Sequence, residues 1–169
     1  QNCNALYRYK ADGSCDQMVD DLICANGLAF SPDGTILYHS DSRQDYVWAW
    51  DLDPRTGAIA NRRVFAANDP MEGRPDGATV DADGYYWICC VGAWRVARIA
   101  PNGTVDRVIG VPVQRPTACT FGGPDLQTLY ITTATFPLSD SALNKQPLAG
   151  SLFALDANVR GLSEYRFAN

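Results

Sequence analysis

Two residues in this 169-residue sequence carry the donor chemistry of a hard-cation site. Asn26 opens the run Asn26-Gly27-Leu28-Ala29-Phe30, and Asp76 opens Asp76-Gly77-Ala78-Thr79-Val80, 50 positions later. A neutral amide carbonyl and a carboxylate are both hard oxygen donors, which suit Ca2+, Mg2+ or Mn2+ better than a soft-ligand zinc site does. Such a cation polarises a carbonyl as a Lewis acid, and a carboxylate beside it can take a proton from water. Asn-Gly and Asp-Gly are equally ordinary turn dipeptides, so residue type alone leaves both readings open. Thr117 stands at the third such position, 41 residues after Asp76, and is a candidate to touch a substrate.

Other constellations are weaker. His39-Ser40-Asp41 holds the three residue types of a hydrolase triad, but strand alternation puts Ser40 on the opposite face from its neighbours. His39, the sole histidine, reads instead as a strand residue whose ring is satisfied by its surroundings. Asp81-Ala82-Asp83-Gly84 lacks the downstream bidentate glutamate of a calcium loop and reads as a hairpin turn. Asn102-Gly103-Thr104 fits a glycosylation pattern, yet a type I′ hairpin turn accounts for it. The six cysteines (Cys3, Cys15, Cys24, Cys89, Cys90, Cys119) form no CxxC pair, and with one histidine there is no tetrahedral zinc spacing. Four lie in or beside apolar runs, where free cysteine behaves as a small hydrophobe. The expectation is six reduced thiols with no intrachain disulfide, Cys89 and Cys90 pointing to opposite faces of one strand, and a reducing cytoplasm as the compartment.

The elements that must position these residues are visible as an internal repeat. Asn26–Phe30, Asp76–Val80 and Thr117–Phe121 each run into a Gly/Pro/Asp turn, and each turn leads to a second strand at Ile36–His39, Tyr85–Cys90 and Leu129–Thr133. Between them sit outer hairpins: Ala5–Tyr9 turning at Ala11-Asp12-Gly13, Tyr46–Leu52 near Pro54–Gly57, Arg95–Ile99 at Pro101-Asn102-Gly103, and Ser151–Leu155 near Asp156–Gly161. Four-stranded units at this period are propeller blades. Trp48, Trp50, Tyr85, Tyr86 and Trp87 read as packing between blades, and Phe136–Ala149 as a long polar excursion, either a rim element or a surface detour. The fold class is therefore all-β: a β-propeller of four-stranded blades, one partial domain over residues 1–169. Three full blades and one half blade do not close a ring, so N-terminal blades or a second chain must complete it.

Composition agrees. Seventeen aspartates against two glutamates favour turns over helices. A net charge of −5 without a basic run excludes nucleic-acid and anionic-membrane partners. No stretch of 18 apolar residues spans a bilayer.

Several motifs in order resemble the gluconolactonase/regucalcin family: Asn26–Gly34 with Tyr38–Ser42, Arg74–Gly77, Trp94-Arg95-Val96, Arg115-Pro116-Thr117 with Phe121–Gly123, and Gln146–Phe153. The resemblance covers nearly the whole chain and aligns it with the C-terminal half, or slightly more, of that family. It implies a six-bladed propeller with one divalent cation (Ca, Mg, Mn or Zn) at the channel mouth. Asn26 and Asp76 match two of its ligands. The third, a glutamate, and the arginine and asparagine that contact substrate are expected upstream of Gln1. Neither Glu72 nor Glu164 matches that glutamate. The expected function is hydrolysis of a sugar lactone to its acid, the cation polarising the carbonyl and Asp76 activating water. The alternative is a non-catalytic propeller that binds ligands or handles calcium.

Overall fold

The structure, a computed structural model, describes residues 4–44, 46–67 and 72–164. A hairpin of β1 (Asn4–Tyr9) and β2 (Cys15–Leu22) comes first. Two four-stranded antiparallel meanders follow, β3 (Ala25–Phe30), β4 (Ile36–Asp41), β5 (Tyr46–Leu52), β6 (Ile59–Ala67), then β7 (Arg74–Val80), β8 (Tyr86–Val91), β9 (Arg95–Ile99), β10 (Val105–Gly110). A sheet of β11 (Pro116–Gly122), β12 (Thr128–Thr133) and β13 (Phe153–Asp156) ends the series. The only helix among the described residues is α1 (Asp140–Asn144). None is long and apolar enough to cross a membrane.

First strands lie side by side. A Cβ at Gly77 of β7 would stand 2.7 Å from Ala118 Cα and 2.8 Å from Thr117 O of β11, so only glycine permits the approach. The sheets are thus radial blades sharing apolar faces. Tyr38, Val47, Tyr86, Ile88 and Ile99 fill one interface, and Trp87, Cys89, Val96, Leu129 and Ile131 the next. Val19, Leu22 and Trp48 seal the β1–β2 hairpin against the first meander. Every residue of β8 is buried, because blades cover both its faces, and Tyr86–Val91 accordingly reads as a continuous apolar run rather than an alternation.

The third blade shows three strands among the described residues. After β13 the chain crosses the far end of the molecule: Ala82 N donates to Arg160 O (2.8 Å), Asp81 bridges Gly161, and Leu162 joins the first interface. Asp81 anchors this crossing. Its buried carboxylate accepts from Trp87 Nε1 (2.9 Å), Arg98 Nε (2.9 Å) and the backbone of Asp83 and Tyr85 (both 3.0 Å). Arg98 reaches it again at 2.7 Å, binds Asp106 at 2.8 Å and stacks on Tyr85.

The Asn102-Gly103 turn corrects the type I′ expectation. Gly103 has positive φ and Asn102 does not, while Gly103 N donates to Ala100 O (2.8 Å). The turns closed by Gly13, Gly34 and Gly84 follow the same pattern, with a left-handed glycine at the fourth turn position. Five cysteines among the described residues are free; Cys3 lies outside them. Burial pushes the Cys90 thiol up to about 12, so it is inert as a nucleophile.

Candidate active site

Asn26, Asp76 and Thr117 all sit where an innermost strand begins, and the chain treats all three entries alike. Pairing slips by one residue between Asn26 and Ala29, between Pro75 and Ala78, and between Pro116 and Ala118. A bulge interrupts strict alternation and re-aims the side chains around it. The innermost strands consequently start earlier than the apolar run alone indicates, at Ala25, Arg74 and Pro116. Gly27 makes the first bulge possible. It has φ +60°, and a Cβ there would collide with Ser40 Oγ and stand 2.5 Å from the Tyr86 hydroxyl. That hydroxyl donates to Gly27 O at 2.7 Å.

A hydroxyl relay joins the first two entries. Asn26 Nδ2 donates to Ser42 Oγ (2.8 Å), and Ser42 Oγ donates to Pro75 O (2.5 Å), the carbonyl that precedes Asp76. With its N–H engaged, Asn26 presents Oδ1 as an acceptor. The Asp76 carboxyl is half-buried; burial pushes its pKa up to about 6, against the pull of Arg115 and of the Gly77 N–H. Thr117 Oγ1 lies 2.9 Å from Thr132 Oγ1, a partly exposed hydroxyl pair at the third entry. No three His, Cys, Asp or Glu side chains converge among the described residues. Asn26 Oδ1 and the Asp76 carboxylate are nevertheless hard donors that fit a Ca2+- or Mg2+-type ion.

His39 lines a cavity of about 410 Å³ with Leu6, Leu22, Asn26, Gly77 and Ala118. It is buried, yet neither ring nitrogen has a hydrogen-bond partner among the described residues, which corrects the expectation of a satisfied ring. It packs instead against Trp48 in a tilted arrangement and stacks on Trp50, with centroids at 5.1 and 6.0 Å. Burial, helped by Arg62, lowers its pKa to about 4, so the ring is neutral. No triad forms. Asp41, fully buried, accepts from the N–H groups of Ile23 (2.6 Å), Cys24 (3.1 Å) and Arg43 (2.8 Å) and from Gln44 Nε2 (3.1 Å). Sequence reasoning missed this role, although an aspartate ending a strand before a turn is its usual signature.

The 134–152 connection between β12 and β13 lies at the same end. Ala134 N donates to Arg115 O (3.0 Å), and buried Gln146 accepts from Gln114 N (2.7 Å) through Oε1. The long excursion is therefore a tethered rim element. Phe136, 82% exposed, projects from it.

The family model described as SMP-30/Gluconolactonase/LRE-like region matches residues 1–135. This chain belongs to that family. Regucalcin of Danio rerio is 38% identical over 165 residues, covering 96% of this chain and 56% of that protein. The 6-deoxy-6-sulfogluconolactonase of Pseudomonas putida is 39% identical over 170 residues, covering 99% and 58%. Among solved structures, the calcium-binding protein regucalcin from Agrobacterium tumefaciens superposes with a TM-score of 0.88 at 31% identity, covering 96% of this chain and 56% of that one. The chain thus spans little more than half the length of the relatives it matches. Its blades are those of a regucalcin-like six-bladed propeller.

Proposed function

We propose that the full-length protein hydrolyses a sugar lactone to the open hydroxy acid, using a divalent cation held in part by Asn26 and Asp76. The observation that carries this reading is the relay from Asn26 through Ser42 to Pro75, which couples two bulged strand entries bearing hard oxygen donors. The relative named for a sulfogluconolactone and the shared family support the lactone class.

When bound, the cation supplies Lewis acidity toward the lactone carbonyl. Asn26 contributes an oxygen without charge, which leaves that acidity undiminished. Asp76 takes a proton from the attacking water as the water oxygen bonds to the carbonyl carbon. The ring C–O bond then breaks, and the ring oxygen recovers a proton to leave as the new hydroxyl. The Thr117–Thr132 hydroxyl pair offers hydrogen bonds to sugar hydroxyls at the third entry. The remaining blades, from the same chain or a second one, close the ring. Reduced cysteines fit the cytoplasm.

The test is turnover of glucono-1,5-lactone and related lactones by full-length protein before and after chelation. Loss of turnover on chelation and recovery on adding cation is expected. Turnover that ignores the chelator would reject the cation's role, and binding without turnover of any lactone would favour the non-catalytic alternative.

A further inference from the structure

Both ends of the blades carry charge of both signs. Asp12, Asp33, Asp53, Asp83 and Asp125 occupy hairpin turns at the end away from Asn26 and Asp76. At the near end, Arg43 follows β4, Arg74 opens β7, Arg95 opens β9 and Arg115 precedes β11. The near end also carries Asp21, Asp41, Glu72 and Asp76, so its four arginines stand among acidic neighbours.

Arg115 differs from Arg95. Arg95 is engaged by Glu72 at 3.0 Å. Arg115 makes no ion pair or side-chain hydrogen bond among the described residues, and its Nε is buried without a partner. A buried, unpartnered guanidinium N–H is costly unless a ligand completes it. The backbone fixes its position, since Arg115 O receives the Ala134 N–H at 3.0 Å and Pro116 pairs with Thr133. The close approach of Gly77 to Thr117 and Ala118 sets this arginine beside the entry of β7, where its charge acts on Asp76.

We infer that Arg115 is a specificity-determining residue that binds an anionic substituent of the substrate, so that the preferred lactone carries a carboxylate, phosphate or sulfonate away from its ring. This rests on the lactonase reading above and goes beyond it by naming the substrate class. A guanidinium meets such oxyanions with paired, charge-assisted hydrogen bonds.

The experiment measures kcat/KM of the full-length protein on glucono-1,5-lactone, which is neutral, and on 6-phosphogluconolactone and glucaro-1,4-lactone, which are anionic. The native protein should favour the anionic pair, and that preference should shrink as salt rises. Arg115→Gln should lower the anionic-to-neutral ratio by roughly 10- to 100-fold, the size expected for a lost charged hydrogen bond, mainly through KM. Arg115→Lys should restore part of it. Calorimetric titration with glucarate, a product analogue, gives a readout apart from turnover and should weaken in Arg115→Gln. An unchanged ratio in a variant with native melting behaviour, or a native protein indifferent to substrate charge, overturns the inference while leaving lactone hydrolysis standing. Failure to turn over any lactone overturns the parent reading instead.

Discussion

One hydroxyl holds Asn26 and the peptide of Pro75 together: Ser42 Oγ receives the Asn26 amide at 2.8 Å and donates to Pro75 O at 2.5 Å. Ser42 belongs to the connection after β4, so the relay makes the spacing of two innermost strands depend on a loop of the first blade. Ser42→Ala should leave a carbonyl and an amide unpaired and lower stability by about 1–3 kcal/mol. Groups that orient a metal ligand typically change affinity by about 10- to 100-fold, so cation binding should weaken within that range. Calcium titration followed by calorimetry checks this. An affinity unchanged by the substitution would show that Asn26 is held in place without Ser42.

Asp76→Asn keeps size and a ligand oxygen while removing the proton acceptor. Lactone turnover should fall by about 10²–10⁴-fold with the fold intact. Asn26→Ala should mainly weaken cation binding, and excess cation should recover part of the rate. If both residues served only as turn formers, both changes would lower melting temperature and leave activity per folded molecule unchanged. Asp76→Asn retaining more than about a tenth of native turnover at saturating cation would remove Asp76 as the base.

His39 gives stability a pH dependence of predictable sign. Its pKa is 6.5 in the open chain and about 4 when folded, so the unfolded state binds the extra proton between those values. Its effect is neutral above 6.5 and becomes progressively destabilising as pH falls toward 4, by at most about 3 kcal/mol. Asp76 acts oppositely, because its raised pKa makes the folded state the better proton binder between 3.8 and about 6. Comparing His39→Phe with the native protein isolates the first effect. The variant's relative unfolding free energy should rise as pH drops from 7 to 4.5, and a constant offset across that range would contradict the assignment.

The Asp81–Arg98 pair should be expensive to break. Asp81 is fully buried and receives four hydrogen-bond donors while its loop holds the returning 157–162 segment. Asp81→Ala strands the Arg98 charge, for which about 3–5 kcal/mol is typical. Chemical denaturation should show that loss. A change below about 1 kcal/mol would mean that Asp106 alone satisfies Arg98.

The sequence by itself determined the class of fold, because apolar runs at blade period and glycine-closed turns are local facts that dictate strands and hairpins. It placed Tyr46–Leu52 and Arg95–Ile99 at their observed bounds, since nothing but neighbouring turn chemistry decides them. It also marked Asn26, Asp76 and Thr117 as equivalent, since repetition needs no coordinates to be seen. The tertiary structure decided everything that depends on which blade faces which. His39 had no legible environment until Trp48 and Trp50 packed against it. Ser42 lies 33 residues from Pro75 and Gly77 lies 41 from Ala118, and both contacts exist only because bulged first strands from different blades meet. Arg115 was part of a motif in the sequence; it became a candidate for recognition only where packing set it beside Asp76 and left its Nε buried without a partner. Strand propensity acts over neighbouring residues, whereas a site is assembled by long-range burial, and that difference sets what a sequence alone can show.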